Sequence, residues 1–139
     1  MKILILLTGD DMNDNGKIKH LEFIQNIIDR HNRNSFQIKF GTITIISALL
    51  AIYADKGDVQ YILLCIVPLL GGCILDSVYL RYEKCFRDLY NDVRADKVID
   101  YDLSIDDYKK KYTILRSLMS SSIKWMYILL IVLLLILWA

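Results

Sequence analysis

Histidine is nearly absent from this 139-residue sequence, cysteine and proline are scarce, and neither sign of charge dominates. Each shortage removes a class of function. The two histidines, His20 and His31, and the scattered cysteines Cys65, Cys73 and Cys85 offer no closely spaced ligand set, so no metal centre is expected. Two of the cysteines lie in an apolar run and the third on an expected helix, which reads as reduced packing residues rather than a disulfide framework. Lys plus Arg total 17 and Asp plus Glu 16, which gives no pointer to a nucleic-acid partner. The pair Gly71-Gly72 is not followed by Lys-Ser or Lys-Thr and is no phosphate loop. HExxH and GxSxG are missing, and neither histidine follows an arginine at the spacing used by small ribonucleases. The acidic stretch from Asp96 to Asp107 lacks the alternating ligands and closing glutamate of a calcium loop. A non-enzyme without cofactor is the expectation. At the N-terminus, Ile3 to Leu7 is too short for the apolar region of a signal peptide and no small-residue cleavage site follows. Met12 is a second plausible start, which makes residues 1–11 an alternative start or a short arm.

What the sequence has in quantity is apolar residues: 55% of the chain, with a mean hydropathy of +0.35. They are clumped. A stretch such as Ile128 to Leu137, without one polar side chain, is too apolar to hide in the core of so small a domain, and lipid is the simpler solvent. The fold class expected is an all-α membrane protein forming one domain.

The expected elements follow in chain order. Residues 17–31 read as an amphipathic helix: Ile18, Leu21, Ile24 and Ile28 share a face that Phe23 and Ile27 widen, and Lys19, Glu22, Asn26, Asp29 and Arg30 take the other. Asn32 to Ser35 is helix-weak and predicts a bend that turns a surface helix into a spanning one. A first span covers 38–54. Its hydroxyls Thr42, Thr44 and Ser47 can return to carbonyls one turn back, so they cost little in lipid. Asp55-Lys56-Gly57-Asp58 is a tight polar turn. A second span covers 59–75 and contains Pro68, which predicts a kink or packing notch. A helical extension covers 76–95, with Glu83 and Arg87 as a favourable four-residue pair. Ser104 and Asp107 suggest a capping box that opens a helix over 105–123, leading into a third span at 124–139. Fourteen apolar residues from Met126 make only roughly 21 Å, short of a hydrocarbon core of roughly 30 Å. Either the span begins nearer Met119 with Lys124 snorkelling, or the bilayer thins, or the helix pairs in an oligomer. Trp125 and Trp138 suit opposite interfaces.

Basic residues set the direction. Arg30, Arg33 and Lys39 precede the first span, and Arg81, Lys84 and Arg87 follow the second, whereas the turn between them holds only Lys56. The N-terminus and the segment from Arg81 to Lys124 are therefore expected in the cytoplasm, and the turn outside.

Three sets of residues stand out as candidates. Asp76, at the end of the second span, is a carboxylate at a depth where it must be hydrated or paired, and Arg33 and Lys39 are in reach. Gly41, Thr44, Ala48 and Ala51 on the first span, with Pro68 and Gly72 on the second, form small-residue faces that let another helix approach. Tyr79, Tyr82, Phe86 and Tyr90 give the extension an apolar side on which a soluble partner can dock.

The run His20-Leu21-Glu22-Phe23-Ile24-Gln25 through Asn34-Ser35-Phe36 and Lys39, the short-looped hairpin, and then Asp76, Tyr79-Leu80-Arg81, Glu83, Phe86-Arg87 and Leu89-Tyr90 resemble a group of small bacterial membrane proteins. Their plan is similar to the SLATT-type membrane modules of bacterial conflict systems: an amphipathic helix, a two-span hairpin and a cytoplasmic helix. The resemblance covers roughly residues 17–94 and brings no catalytic residues; the C-terminal apolar tail departs from the two-span plan. It implies a membrane-perturbing effector of antiviral defence in the bacterial inner membrane; the small-residue faces and the short third span add the expectation of a homo-oligomer in the lipid bilayer. The alternative is a non-toxic anchor or assembly subunit that docks a soluble cytoplasmic protein.

Overall fold

Residues 2–56 contain no proline, and in the computed structural model they form one unbroken helix, α1 (Lys2–Lys56). The structure describes the backbone of residues 2–138 and the side chains of residues 14–138; the expectation about residues 1–11 falls outside those side chains. The bend expected at Asn32 to Ser35 does not form. Ser35 faces inward and is buried against the partner helix, so packing overrides the weak helix propensity of this stretch. α1 ends at Gly57, whose φ of +68° is the left-handed conformation that glycine adopts freely, with its N–H donating to the Tyr53 carbonyl at 2.8 Å.

Asp58 accepts the Gln60 N–H at 2.9 Å and starts α2 (Gln60–Leu64). The helix is interrupted at Cys65 and resumes as α3 (Ile66–Arg94). Pro68 accounts for the interruption. It has no N–H to offer the Leu64 carbonyl, and its ring crowds that carbonyl four residues back. The Cys65 N–H shortens its reach to Ile62 at 3.1 Å, and regular bonding restarts with the Leu69 N–H on Cys65. Beyond α3 the chain turns at Asp96, whose φ is +57°.

The helix expected over 105–123 arrives in pieces: α4 (Asp106–Lys111), α5 (Ile114–Leu118) and the start of α6 (Ser121–Trp138). Tyr112 and Thr113 are extended, and Thr113 caps α5 by accepting the Arg116 N–H at 3.3 Å. The predicted capping box is also replaced. Ile105 occupies the cap position of α4, Asp107 binds Lys110, and the Ser104 N–H donates to Asp102.

Among the described residues, three helices are long and apolar enough to cross a membrane: Asp14–Lys56, Gln60–Arg94 and Ser121–Trp138. Only 17%, 33% and 22% of their most apolar windows is buried. Ile43, Ile45, Leu63, Val67, Leu70, Ile74, Leu129, Leu133 and Ile136 among others face outward. An apolar surface this extensive and contiguous is what a bilayer covers. At 1.5 Å per residue, α6 measures roughly 27 Å, while the 43 residues from Asp14 to Lys56 run roughly 65 Å. The first two spanning helices therefore extend well past the apolar slab, and both do so on the same side, where α1 and α3 continue to pack against each other.

Two cores result. In the slab, Ile46, Ile62, Cys65, Leu69, Leu80, Ile123, Tyr127, Leu130 and Leu134 bring all three spans together. In the extension, Ile24, Ile28, Cys85, Leu89, Val93 and Ile105 join α1, α3 and the segment that leads into α4.

Candidate functional site

Between the two cores lies a buried polar layer centred on Asp76. On α1, Ser35, Lys39 and Thr42 follow one another at four and three residues, so they line one stripe of the helix. That stripe faces α3. The Asp76 side chain is fully buried, and the Lys39 ammonium lies 2.7 Å from each of its two oxygens. Ser35 donates to the same carboxylate and accepts from Lys39 at 2.7 Å, which closes a three-member cluster. Of the two bases the sequence put within reach of Asp76, the structure selects Lys39. Arg33 is exposed.

One turn further into the slab, Gly72 of α3 meets Thr42 of α1. A Cβ at Gly72 would collide with the Thr42 side chain, so glycine is what permits this α1–α3 approach. Ser77 is buried and spends its hydroxyl on the Cys73 carbonyl at 2.6 Å. From α6, Tyr127 reaches the same region. Its hydroxyl is buried without a hydrogen bond of normal geometry and interacts with Thr42 and Asp76. Each of the three spans therefore contributes to one charged and hydroxylated layer at the edge of the slab.

The other candidate residues separate into two groups. Thr44, Ala48 and Ala51 are exposed, and nothing lies within 4 Å of where a Gly41 Cβ would be. Thr44 sits about 200° around the helix from buried Thr42, so this stripe points away from the bundle. Thr44 returns its hydroxyl to the Phe40 carbonyl at 2.9 Å. Gly72 and Pro68, by contrast, are engaged within the chain, buried and half-buried respectively.

The aromatic side of the extension is also taken up internally. Tyr79, Tyr82, Phe86 and Tyr90 are half-buried. His31 of α1 stacks on Tyr82 and Phe86, with ring centres 5.6 and 5.8 Å away, and tilts against Tyr79 at 6.0 Å. Desolvation, helped by the neighbouring Arg30 charge, holds its imidazole below the usual histidine pKa. Glu83 and Arg87 pair at 2.8 Å.

A second set of contacts fixes the descending segment to α3. Arg81 donates to the Tyr112 carbonyl at 2.6 Å and the Lys109 carbonyl at 3.2 Å, satisfying the end of α4. Lys111 pairs with Asp88 at 2.6 Å. The Tyr108 hydroxyl donates to Asp92 at 2.8 Å; desolvation and that carboxylate raise its pKa to about 12. Hydrogen bonds from Lys97 and Tyr108 lower the pKa of Asp92. Sequence reasoning gave Ser35, Thr42, Arg81 and Tyr127 no place in a candidate site. The polar stripe Ser35-Lys39-Thr42 was the signal available, since it crosses an otherwise apolar face.

Compared with known proteins, the chain matches no family model, no curated protein and no solved structure.

Proposed function

We propose that this chain is a multi-pass protein of the bacterial inner membrane that self-associates through its first span and perturbs the membrane as an effector of an antiphage or abortive-infection system. The supporting observation is the uncovered stripe Gly41, Thr44, Ala48 and Ala51, turned directly away from the chain's own packing. Small residues on a lipid-facing helix permit close backbone approach, which is the main source of helix association where water exclusion contributes nothing. The bases of the extension support a cytoplasmic position for it and for the N-terminus. In this reading a cytoplasmic signal acts on the extension, and assembly of the spans opens the bilayer.

The test is membrane potential and viability in a bacterial host after induction, read with a voltage-sensitive dye. Depolarisation that disappears when Ala48→Leu and Ala51→Leu block the stripe, with the protein still inserted, supports the reading. An intact potential at high expression, with the protein remaining monomeric, refutes it.

A second reading, a membrane anchor for a soluble partner, is favoured by a different observation. Ile18 and Phe23 are exposed on the extension, and Ile18 borders a groove with Leu21 and Tyr90. A stoichiometric partner that is lost with Ile18→Glu and Phe23→Glu, in cells with unchanged potential, favours this reading.

A further inference from the structure

The edge of the slab carries a charge imbalance that the buried pair does not absorb. No acidic residue occurs from Arg30 to Ala54, and none after Asp107. Asp76, the one acid at this level, is committed to Lys39. Ile123 and Leu80 belong to the same slab core and Tyr127 interacts with Asp76, which puts Lys124 about one turn from the level of Asp76, and Arg116 precedes it on α5. Arg33 lies six residues, about one and two-thirds turns, below Lys39 on α1.

Among the described residues, Arg33, Arg116 and Lys124 have no acidic partner. Arg116 donates only to the Lys111 carbonyl at 3.3 Å, and Lys124 rests over the Trp125 ring at 5.3 Å. Large apolar side chains stand exposed at the same height: Phe36 is 69% exposed, Phe40 65%, Leu115 71%, Met119 73% and Trp125 66%. Aromatic and aliphatic groups interleaved with unpaired bases match the boundary where acyl chains give way to headgroups.

We propose that this collar binds anionic phospholipid headgroups, with Arg33, Arg116 and Lys124 on the lipid phosphates and Phe36, Leu115, Met119 and Trp125 seated beneath them. A polar soluble partner would complement the bases and leave the apolar side chains in water; an anionic bilayer surface satisfies both. The inference needs the chain to lie in a membrane and is independent of what it does there.

Trp125 reports the site. In an otherwise intact full-length chain carrying Trp138→Phe, reconstituted in vesicles, quenching is compared between brominated phosphatidylglycerol and brominated phosphatidylcholine at equal mole fraction. The anionic lipid should occupy the Trp125 surface in preference, with a roughly fivefold loss of relative affinity for each base changed to Gln. The preference should also weaken as salt rises from about 0.05 to about 0.5 M. Equal quenching by the two lipids overturns the proposal, as does a preference unchanged by salt or by the triple Arg33→Gln, Arg116→Gln, Lys124→Gln variant. Inorganic phosphate matched in ionic strength to chloride should not displace the lipid any further; if it does, the bases form a site for a free anion and the lipid assignment fails. The salt series on the unmodified bases decides the matter even where the triple variant fails to insert.

Discussion

Replacing Asp76 with Ala should be the most damaging small change available in this chain. The substitution removes a carboxylate that is fully buried and leaves the Lys39 ammonium, itself only 19% exposed, facing Ser35 alone. Removing one partner of a buried pair costs about 3–5 kcal/mol, chiefly because the remaining charge keeps its desolvation without its attraction. That is roughly a 100- to 5000-fold shift in the folding equilibrium. The double variant Asp76→Leu, Lys39→Met tests the cause, since replacing both ions with apolar groups of similar size is often neutral or stabilising. Unfolding by a denaturing detergent, followed by circular dichroism of the protein in mild micelles, measures both. The expected order is wild type and double variant close together, with Asp76→Ala far below. A single variant within about 1 kcal/mol of wild type would mean that water already reaches the pair and that the polar layer is not dry.

Gly72→Ala should cost about 1–3 kcal/mol, because its new methyl meets Thr42, and Thr42→Ala in the same chain should recover part of the loss; the same detergent titration measures it. The aromatic box around His31 gives an acid-side dependence. Its imidazole pKa is lowered by desolvation and then by Arg30, so its contribution is full above the unfolded value of 6.5 and is lost as pH falls from there through the folded pKa. His31→Phe should flatten that part of the stability–pH curve. Tyr108 gives an alkaline dependence of the opposite sign. Its phenol titrates near 12 in the fold, so the segment it holds should loosen between pH 10 and about 12, read by proteolysis between Asp96 and Lys111, and Tyr108→Phe should remove the transition.

The spans were legible in the sequence because lipid exposure requires near-continuous apolar runs, and nothing else in a chain this short explains Ile128 to Leu137. The proline interruption was legible for the same kind of reason, as a covalent property of one residue. The bend at Asn32 to Ser35 was misread. Local propensity favoured it, and the inward hydrogen bond of Ser35 to a residue 41 positions away overruled it. The broken approach to α6 was hidden likewise, since it depends on Arg81 taking carbonyls from residues 28 and 31 positions further on. Asp76 was visible as an anomaly from composition alone, but Tyr127 was not, because a tyrosine in an apolar helix carries no sign of which face it occupies.

The polar layer and the small-residue stripe lie on opposite sides of α1, and that arrangement constrains any account of assembly. Ser35, Lys39 and Thr42 hold the helix to α3, while Thr44, Ala48 and Ala51 face outward. A second copy can therefore approach along the outer stripe with the buried pair intact. In the proposed assembly, association and opening of the bundle are separable events with different costs: the first is set by helix packing in lipid, the second by a buried ion pair. Asp76→Ala, which leaves Lys39 without its carboxylate, should change the second and leave the first untouched. Crosslinking of a cysteine placed at Ala51, in that variant and in wild type, compares them directly: equal dimer yields support the separation, and a yield that falls with the pair broken shows that the two faces of α1 act together.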